Sequence, residues 1–273
     1  MKFLAIIQLT FRESFYKKTF MGFLAISTFI ILVFLFALNL DIVNGAQSAI
    51  SLFGMKSPEL VDLDVLVTGV EGVVSVMLFT IGIFMSLFST SSLIPSLLQT
   101  GFIDLFISKP LNRIQILSGR FIGSVTIVAF NIFYLIILTW LIISVKSGIW
   151  NWNFLLAGLI IVFTFAVLFS MMTFLGLISK SGPFSLMITY LILFFSPILL
   201  QRDQIYALLS SRYYGYIFDG LYYFLPKTAE LGKITTQLAR GIPVESWMPV
   251  WTSFLFLIFI FLLSIYIFQR KDF

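Results

Sequence analysis

The chain has no cysteine and no histidine among its 273 residues. The missing cysteines exclude disulfides, iron–sulfur clusters and thiol chemistry, and the missing histidines remove the commonest metal ligand and the usual general base at neutral pH. A phosphate-binding loop of the form GxxxxGK followed by Ser or Thr is also missing. We therefore expect no enzyme activity, no catalytic residue and no metal site in this chain.

Charged side chains are scarce as well. They make up 11% of the chain, whereas hydrophobic residues make up 60% and the mean hydropathy is +1.07. An ordinary soluble domain carries about 25% charged residues. A water-soluble protein this apolar could not cover its own surface, so the solvent for most of the chain must be a lipid bilayer. The net charge of +5 is therefore interpreted through the positions of the charges, and no nucleic-acid partner is expected.

Long stretches without Asp, Glu, Lys or Arg predict the membrane topology, because a helix needs about 20 apolar residues to cross a bilayer. The fold class that follows is all-α: a polytopic membrane protein whose residues 1–273 form one transmembrane domain. Its six predicted transmembrane helices lie at about residues 20–40, 72–93, 121–145, 154–178, 184–200 and 248–268. Glu71 falls at the edge of the second of these, so the span interiors are expected to hold no ionisable side chain.

The distribution of Lys and Arg predicts the orientation, because cytoplasmic loops carry an excess of basic residues. With the N-terminus inside, the inner segments hold ten basic and three acidic residues, and the outer segments hold seven basic and nine acidic residues. We therefore expect a multi-pass protein of the plasma (inner) membrane with both termini in the cytoplasm.

Three segments between the predicted spans have a character of their own. Residues 1–18 alternate apolar and basic side chains at helical spacing, which predicts an amphipathic helix on the membrane surface. Residues 96–113 predict a short helix and a rigid turn, and Asn112 with Gln115 forms a capping box for the next helix. The outer loop, residues 202–247, is rich in tyrosine and contains a helix that opens at Pro226.

Several motifs resemble those of the permease subunits of type 2 (ABC-2) ABC transporters. The most specific is GFIDLFISKPLNR at residues 101–113, followed by LSGRFIG at residues 117–123. Weaker ones are Thr10 to Glu13, the YYFLP stretch at residues 222–226 and the C-terminal FQRKD at residues 268–272. Together they run from end to end of the chain and are similar to the six-span group that includes the nitrous oxide reductase maturation permease.

The resemblance implies a function and partners. Two permease chains, expected to form a homodimer, would pair in the bilayer, and two separate ATPase subunits would bind ATP and Mg on the cytoplasmic side. Residues 1–18 would be the elbow helix, residues 96–113 would be the coupling helix, and transport would be export. The residues expected to carry ATPase coupling are Gly101, Asp104, Lys109, Pro110, Arg113 and Glu13. The resemblance does not name a substrate or its binding residues.

Other classes of function stay open. A channel or ATP-independent carrier could use polar groups of the spans, namely Asn131, Thr139, Thr164 and Ser170, although interhelical hydrogen bonding explains Asn131 better. A membrane enzyme would need a dyad, and the only candidate cluster, at residues 179–181, is better explained as a turn. A non-transporting ABC subunit that relays energy to an outer-side protein remains an alternative within the same family.

Overall fold

The computed structural model describes residues 2–16, 18–43, 47–52, 55–56, 61–98, 112–202 and 212–271. Within these ranges the chain is dominated by helices. In chain order they are α1 Lys2–Tyr16, α2 Lys18–Ala37, α3 Leu63–Met77, a π-helical turn Leu78–Gly82, α4 Ile83–Thr90, a 3-10 turn Pro95–Leu98, α5 Arg113–Ser147, α6 Asn153–Ser179, α7 Gly182–Leu200, α8 Arg212–Phe224, α9 Thr228–Ala239 and α10 Met248–Arg270.

Among the described residues, five stretches of helix are long and apolar enough to cross a membrane: Leu63–Leu98, Arg113–Ser147, Asn153–Ser179, Gly182–Leu200 and Met248–Arg270. The number rises to six if α1 and α2, which meet at an angle of 73°, are counted as one broken span. The prediction of a multi-pass helical membrane protein is therefore confirmed.

The second span begins earlier than predicted. The sequence pattern placed it at residues 72–93, whereas the helix already begins at Leu63 and continues through the π-helical turn. The prediction treated Glu71 as the end of an apolar run, and residues 72–93 lie within this longer stretch of helix. The helix continues through Glu71 because the carboxylate is buried and hydrogen-bonded inside the protein.

A small antiparallel sheet follows α2 and was not predicted. Strand β2 (Gln47–Leu52) lies at its centre and pairs with β1 (Leu38–Val43), β3 (Met55–Lys56) and β4 (Val61–Asp62). The all-α prediction thus describes the membrane helices, and the sheet is an addition between the first two of them.

Helix α6 is the centre of the bundle and packs against α5, α7, α9 and α10. Its side chains Phe154, Phe165 and Phe169 are fully buried, whereas Leu156, Leu159 and Ile178 are exposed on its outer face. A helix that is hydrophobic all round is one that other helices surround.

Local chemistry explains several helix ends. The predicted capping box of Asn112 and Gln115 is present at the start of α5, which ends at Gly148 with a positive φ of 79°. Ser181 caps α7 through its hydroxyl, which accepts from the amide of Phe184. The helix predicted to open at Pro226 is α9, and the chain leaves it at Gly241, where φ is 67°.

Two ends of the bundle are used below as landmarks. At the Arg113 end, α5 and α7 begin and α6 and α10 end. At the Asn151 end, α2 and α5 end, α6 begins, and α9 packs against α3 and α6.

Candidate functional site

Four of the six predicted coupling residues, Gly101, Asp104, Lys109 and Pro110, lie outside the described residues. The described part of the coupling segment is the 3-10 turn Pro95–Leu98 on one side and Asn112 with Arg113 on the other. Arg113 and Glu13 can therefore be placed.

Arg113 is the first residue of α5 and holds the end of α10. One guanidinium nitrogen, Nη1, donates to the carbonyl oxygens of Gln269 at 3.0 Å and Lys271 at 2.6 Å. A helix leaves its last carbonyls without partners inside the helix, and a cation at this position also complements the helix dipole. Arg113 therefore joins the beginning of α5 to the end of α10.

Lys271 continues this link to a third helix. Its ammonium donates to the carbonyl oxygen of Leu177 in the last turn of α6. Burial lowers the pKa of Lys271 from its ordinary value, and the positive charge of Lys180 lowers it further. The ends of α6 and α10 and the start of α5 thus form one hydrogen-bonded layer at the Arg113 end.

Glu13 of α1 forms an ion pair with Arg120, two turns inside α5. The guanidinium of Arg120 is fully buried and donates through Nη1 to Oε2 of Glu13. Glu13 was expected to take part in ATPase coupling, and its observed partner is this interior arginine. Arg120 was missed as a site residue because it was assigned to the loop before the third span, although it belongs to the LSGRFIG motif.

Glycines bring α1 and α5 close together around this pair. A Cβ atom on Gly119 would lie 2.8 Å from Cγ2 of Ile6, and one on Gly123 would lie 3.0 Å from Cβ of Thr10. Only hydrogen at these positions allows such an approach, as at many membrane helix contacts. The face of α1 that packs against α5 thus contains Ile6 and Thr10, whereas Phe15 is exposed.

A second buried ionisable side chain lies at the Asn151 end. Glu71 is fully buried in α3, and its Oε2 accepts a hydrogen bond of 2.7 Å from Nδ2 of Asn151. The same nitrogen donates to the carbonyl oxygen of Ala239 at the end of α9, and the indole of Trp140 donates to the backbone of Asn151. Glu71 was expected at the edge of the second span, and its hydrogen-bond partner lies in the turn between α5 and α6 at this end of the bundle.

The other oxygen of Glu71, Oε1, is buried and has no hydrogen-bond partner among the described residues. Arg240 packs against α3 at Gly72, the residue after Glu71. A Cβ atom on Gly72 would lie 2.8 Å from Nε of Arg240. The neighbourhood of the carboxylate therefore contains an amide, a carbonyl and a nearby guanidinium. Sequence reasoning could have found this site only by pairing Glu71 with an amide that lies 80 residues away.

The tyrosine-rich loop contributes a cluster around Tyr222. The guanidinium carbon of Arg202 lies 3.7 Å from the ring centre of Tyr222, and Nζ of Lys227 lies 4.5 Å from it. The phenol donates to Glu230. Burial and the neighbouring carboxylate raise the pKa of Tyr222 to about 12. The cluster ties α8 to the start of α9.

Three of the four polar groups proposed for a carrier, Asn131, Thr164 and Ser170, have hydrogen-bond partners, whereas Oγ1 of Thr139 and Nδ2 of Asn131 are buried without one among the described residues. The side-chain oxygen of Asn131 accepts a hydrogen bond of 2.8 Å from the hydroxyl of Ser27, which joins α2 to α5. Thr164 and Ser170 donate to carbonyls of their own helix, and Thr139 is fully buried. At residues 179–181, Lys180 adopts a left-handed conformation between α6 and α7, as expected of a turn.

Known proteins were compared with the chain as a whole. No family model and no curated protein matches it. The resemblance to ABC-2 permeases therefore depends on the motif residues named above. Within the described ranges, no group of three or more Asp or Glu side chains is placed to hold a metal ion.

Proposed function

We propose that the chain is the membrane-spanning permease subunit of an ATP-driven ABC transporter of the ABC-2 type, working as an exporter. Two copies would pair in the plasma (inner) membrane with both termini in the cytoplasm, and separate ATPase subunits would bind ATP and Mg at the Arg113 end. The motifs at residues 101–113 and 117–123 suggest this function. The observation that carries it is the hydrogen bonding of Arg113, at the end of the coupling segment, to the last carbonyls of α10.

The proposed mechanism follows from the hydrogen bonds between Arg113 and the end of α10. A helix of 35 residues is about 50 Å long and moves as a stiff rod. A displacement of the coupling segment by the ATPase would therefore be transmitted along α5 to the opposite end of the bundle. Arg113 would carry the same displacement to α10, and Lys271 would carry it to α6. The Glu13–Arg120 ion pair would keep α1 attached to α5 during this movement.

The test is a pull-down of the tagged protein from its native host in mild detergent, with mass spectrometry of the proteins that come with it. We expect an ABC ATPase with the wild type and its loss when Asp104 and Arg113 are both changed to Ala. Arg270→Gln is the matched control, since Arg270 lies at the same end and stacks on the ring of Tyr266. Recovery of the chain without an ATPase would refute the proposal.

A pull-down of a non-transporting ABC subunit would recover the same ATPase. It would differ in having no solute flux after reconstitution and in recovering an outer-side protein through residues 202–247.

One observation favours a second candidate, an ATP-independent carrier coupled to protons. Such carriers keep ionisable side chains inside their spans, and Glu71 is a fully buried carboxylic acid on a spanning helix. In liposomes without ATP, this candidate requires solute flux that responds to a pH gradient and loses that response in Glu71→Gln. A flux that requires the ATPase and stays unchanged in Glu71→Gln would exclude it.

A further inference from the structure

The carboxyl group of Glu71 has one oxygen that is paired and one that is not. Nδ2 of Asn151 donates to Oε2, whereas Oε1 is buried and has no hydrogen-bond partner among the described residues. The whole side chain is fully buried. Buried polar atoms in native proteins are nearly always paired with the protein, with water or with an ion. Oε1 therefore indicates that a further group binds beside Glu71.

A second unpaired oxygen lies one turn further along α3. Ser75 is fully buried, and within the described ranges its Oγ has no hydrogen-bond partner. Other buried hydroxyls of this span behave differently, since Ser86 and Thr90 each donate to the carbonyl oxygen one turn before them. Residues four positions apart lie on one face of a helix. Glu71 and Ser75 thus place two unpaired oxygens on the same buried face.

The C-terminal end of α9 adds negative potential at this place. Ala239 is the last residue of α9, and its carbonyl oxygen accepts from Nδ2 of Asn151, the nitrogen that also donates to Glu71. One amide nitrogen thus joins a carboxylate to the end of a helix. The C-terminus of a helix carries a partial negative charge, so a carboxylate beside it is unfavourable unless a cation lies nearby. The amide of Asn151 is neutral and does not supply that charge.

A positive side chain, that of Arg240, passes close to the site without pairing with it. Its Cγ would lie 2.9 Å from a Cβ atom on Gly72, so its aliphatic part packs on α3 next to Glu71. Arg240 is nevertheless exposed, and in the part of the chain that the structure describes it forms no ion pair. The carboxylate is buried and the guanidinium is in solvent, so the negative charge of Glu71 is left for another cation.

We propose that Glu71 and Ser75 form a binding site for a sodium ion at the C-terminal end of α9. Carboxylate, hydroxyl and carbonyl oxygens are the ligands of hard cations, and helix C-termini serve as sodium ligands in membrane transporters. A single positive charge neutralises the single carboxylate. A divalent ion would leave an excess charge, since no group of three Asp or Glu side chains comes together in the described ranges. The site does not depend on the transport function proposed above.

The experiment uses the full-length protein in phosphatidylcholine nanodiscs. Thermal unfolding is measured while sodium chloride replaces choline chloride at constant ionic strength, which keeps the screening of surface charges equal. A ligand that binds only the folded protein raises the melting temperature in proportion to the logarithm of its concentration above Kd. We therefore expect a rise with sodium that choline does not produce. Radioactive sodium should bind to the same protein at a single class of site.

Three variants assign the site to its residues. Glu71→Gln keeps the size of the side chain but removes its charge, and it should abolish both sodium binding and the rise in melting temperature. Ser75→Ala should weaken sodium binding about threefold to tenfold, because one neutral contact is lost. It keeps the carboxylate, so it decides the question if Glu71→Gln does not fold. Ser86→Ala is the matched control, since Ser86 is a fully buried serine of the same span whose hydroxyl is already paired.

Other partners of Glu71 predict different results, and each would overturn the proposal. A melting temperature that responds to pH but not to sodium would assign a proton to the carboxyl group. A protein that binds no sodium and is destabilised equally by Glu71→Gln and Arg240→Gln would make Arg240 the charge partner. No sodium binding and unchanged stability in Glu71→Gln would assign the two oxygens to water. Equal sodium affinity in the wild type, Ser75→Ala and Ser86→Ala would exclude Ser75 as a ligand and refute the site as proposed.

Discussion

The ion pair between Glu13 and Arg120 allows a quantitative prediction, because its two partners are buried to different degrees. The side chain of Arg120 is 0% exposed, whereas that of Glu13 is 23% exposed. If the ion pair is broken, water can hydrate the carboxylate of Glu13 but not the guanidinium of Arg120. The two single neutral variants, Glu13→Gln and Arg120→Met, should therefore differ in stability.

The expected magnitudes follow from this asymmetry. Glu13→Gln keeps a hydrogen-bond acceptor but removes the carboxylate charge that the buried guanidinium contacts, which should cost about 3–5 kcal/mol in the free energy of unfolding. Arg120→Met leaves a carboxylate that water can reach, which should cost about 1–2 kcal/mol. The double variant should resemble Arg120→Met, because neither charge of the pair remains in it.

The assay is equilibrium unfolding of the four proteins in detergent micelles, followed by circular dichroism of the helices. Each variant is compared with the wild type at the same detergent concentration, and the double variant closes a double-mutant cycle. Equal losses in the two single variants, or a double variant that loses the sum of both, would refute the assignment of a buried pair that depends on charge.

Three further predictions concern other parts of the chain. Gly119→Ala should destabilise the protein by about 1–3 kcal/mol, because its Cβ would overlap a side chain of α1, whereas Gly22→Ala, with no atom within 4 Å of its Cβ, should show no loss in the same unfolding assay. Lys233→Ala should change stability by less than about 1 kcal/mol, since its ion pair with Glu245 is solvent-exposed; a larger loss would show that the pair is not exposed. Finally, a membrane-impermeant maleimide should label Glu245→Cys in intact cells and Lys180→Cys only after permeabilisation; the reverse pattern would contradict the proposed orientation.

The parts of the fold that sequence could predict are those governed by local chemistry. Long apolar runs predicted the membrane helices. Asn112 and Gln115, which lie three residues apart, predicted the start of α5. The start of the second span was not predictable in this way. Its helix continues past Glu71 because of Asn151, and a local pattern holds no information about a partner 80 residues away.

The candidate site shows the same division. Arg113 and Glu13 were predicted from motifs, but their partners were not. Arg113 contacts carbonyls that lie 156 and 158 residues further along the chain, and Arg120 lies 107 residues from Glu13. A basic residue close to an apolar run is normally assigned to the flanking loop, and only the packed structure shows that Arg120 lies inside.

The two buried ionisable residues, Arg120 and Glu71, each join two segments of the chain. Burial of an ionisable side chain in a membrane protein is costly; Arg120 offsets this cost with an ion pair to Glu13, and Glu71 offsets part of it with a hydrogen bond from Asn151 to one of its two oxygens. Arg120 attaches α1 to α5 at one end of the bundle, and Glu71 attaches α3 to the α5–α6 turn at the other. Apolar contacts in lipid can be exchanged for lipid contacts at little cost, so these two polar links, rather than the apolar contacts of α2 with the second span, hold α1 against α5 and α3 against the α5–α6 turn.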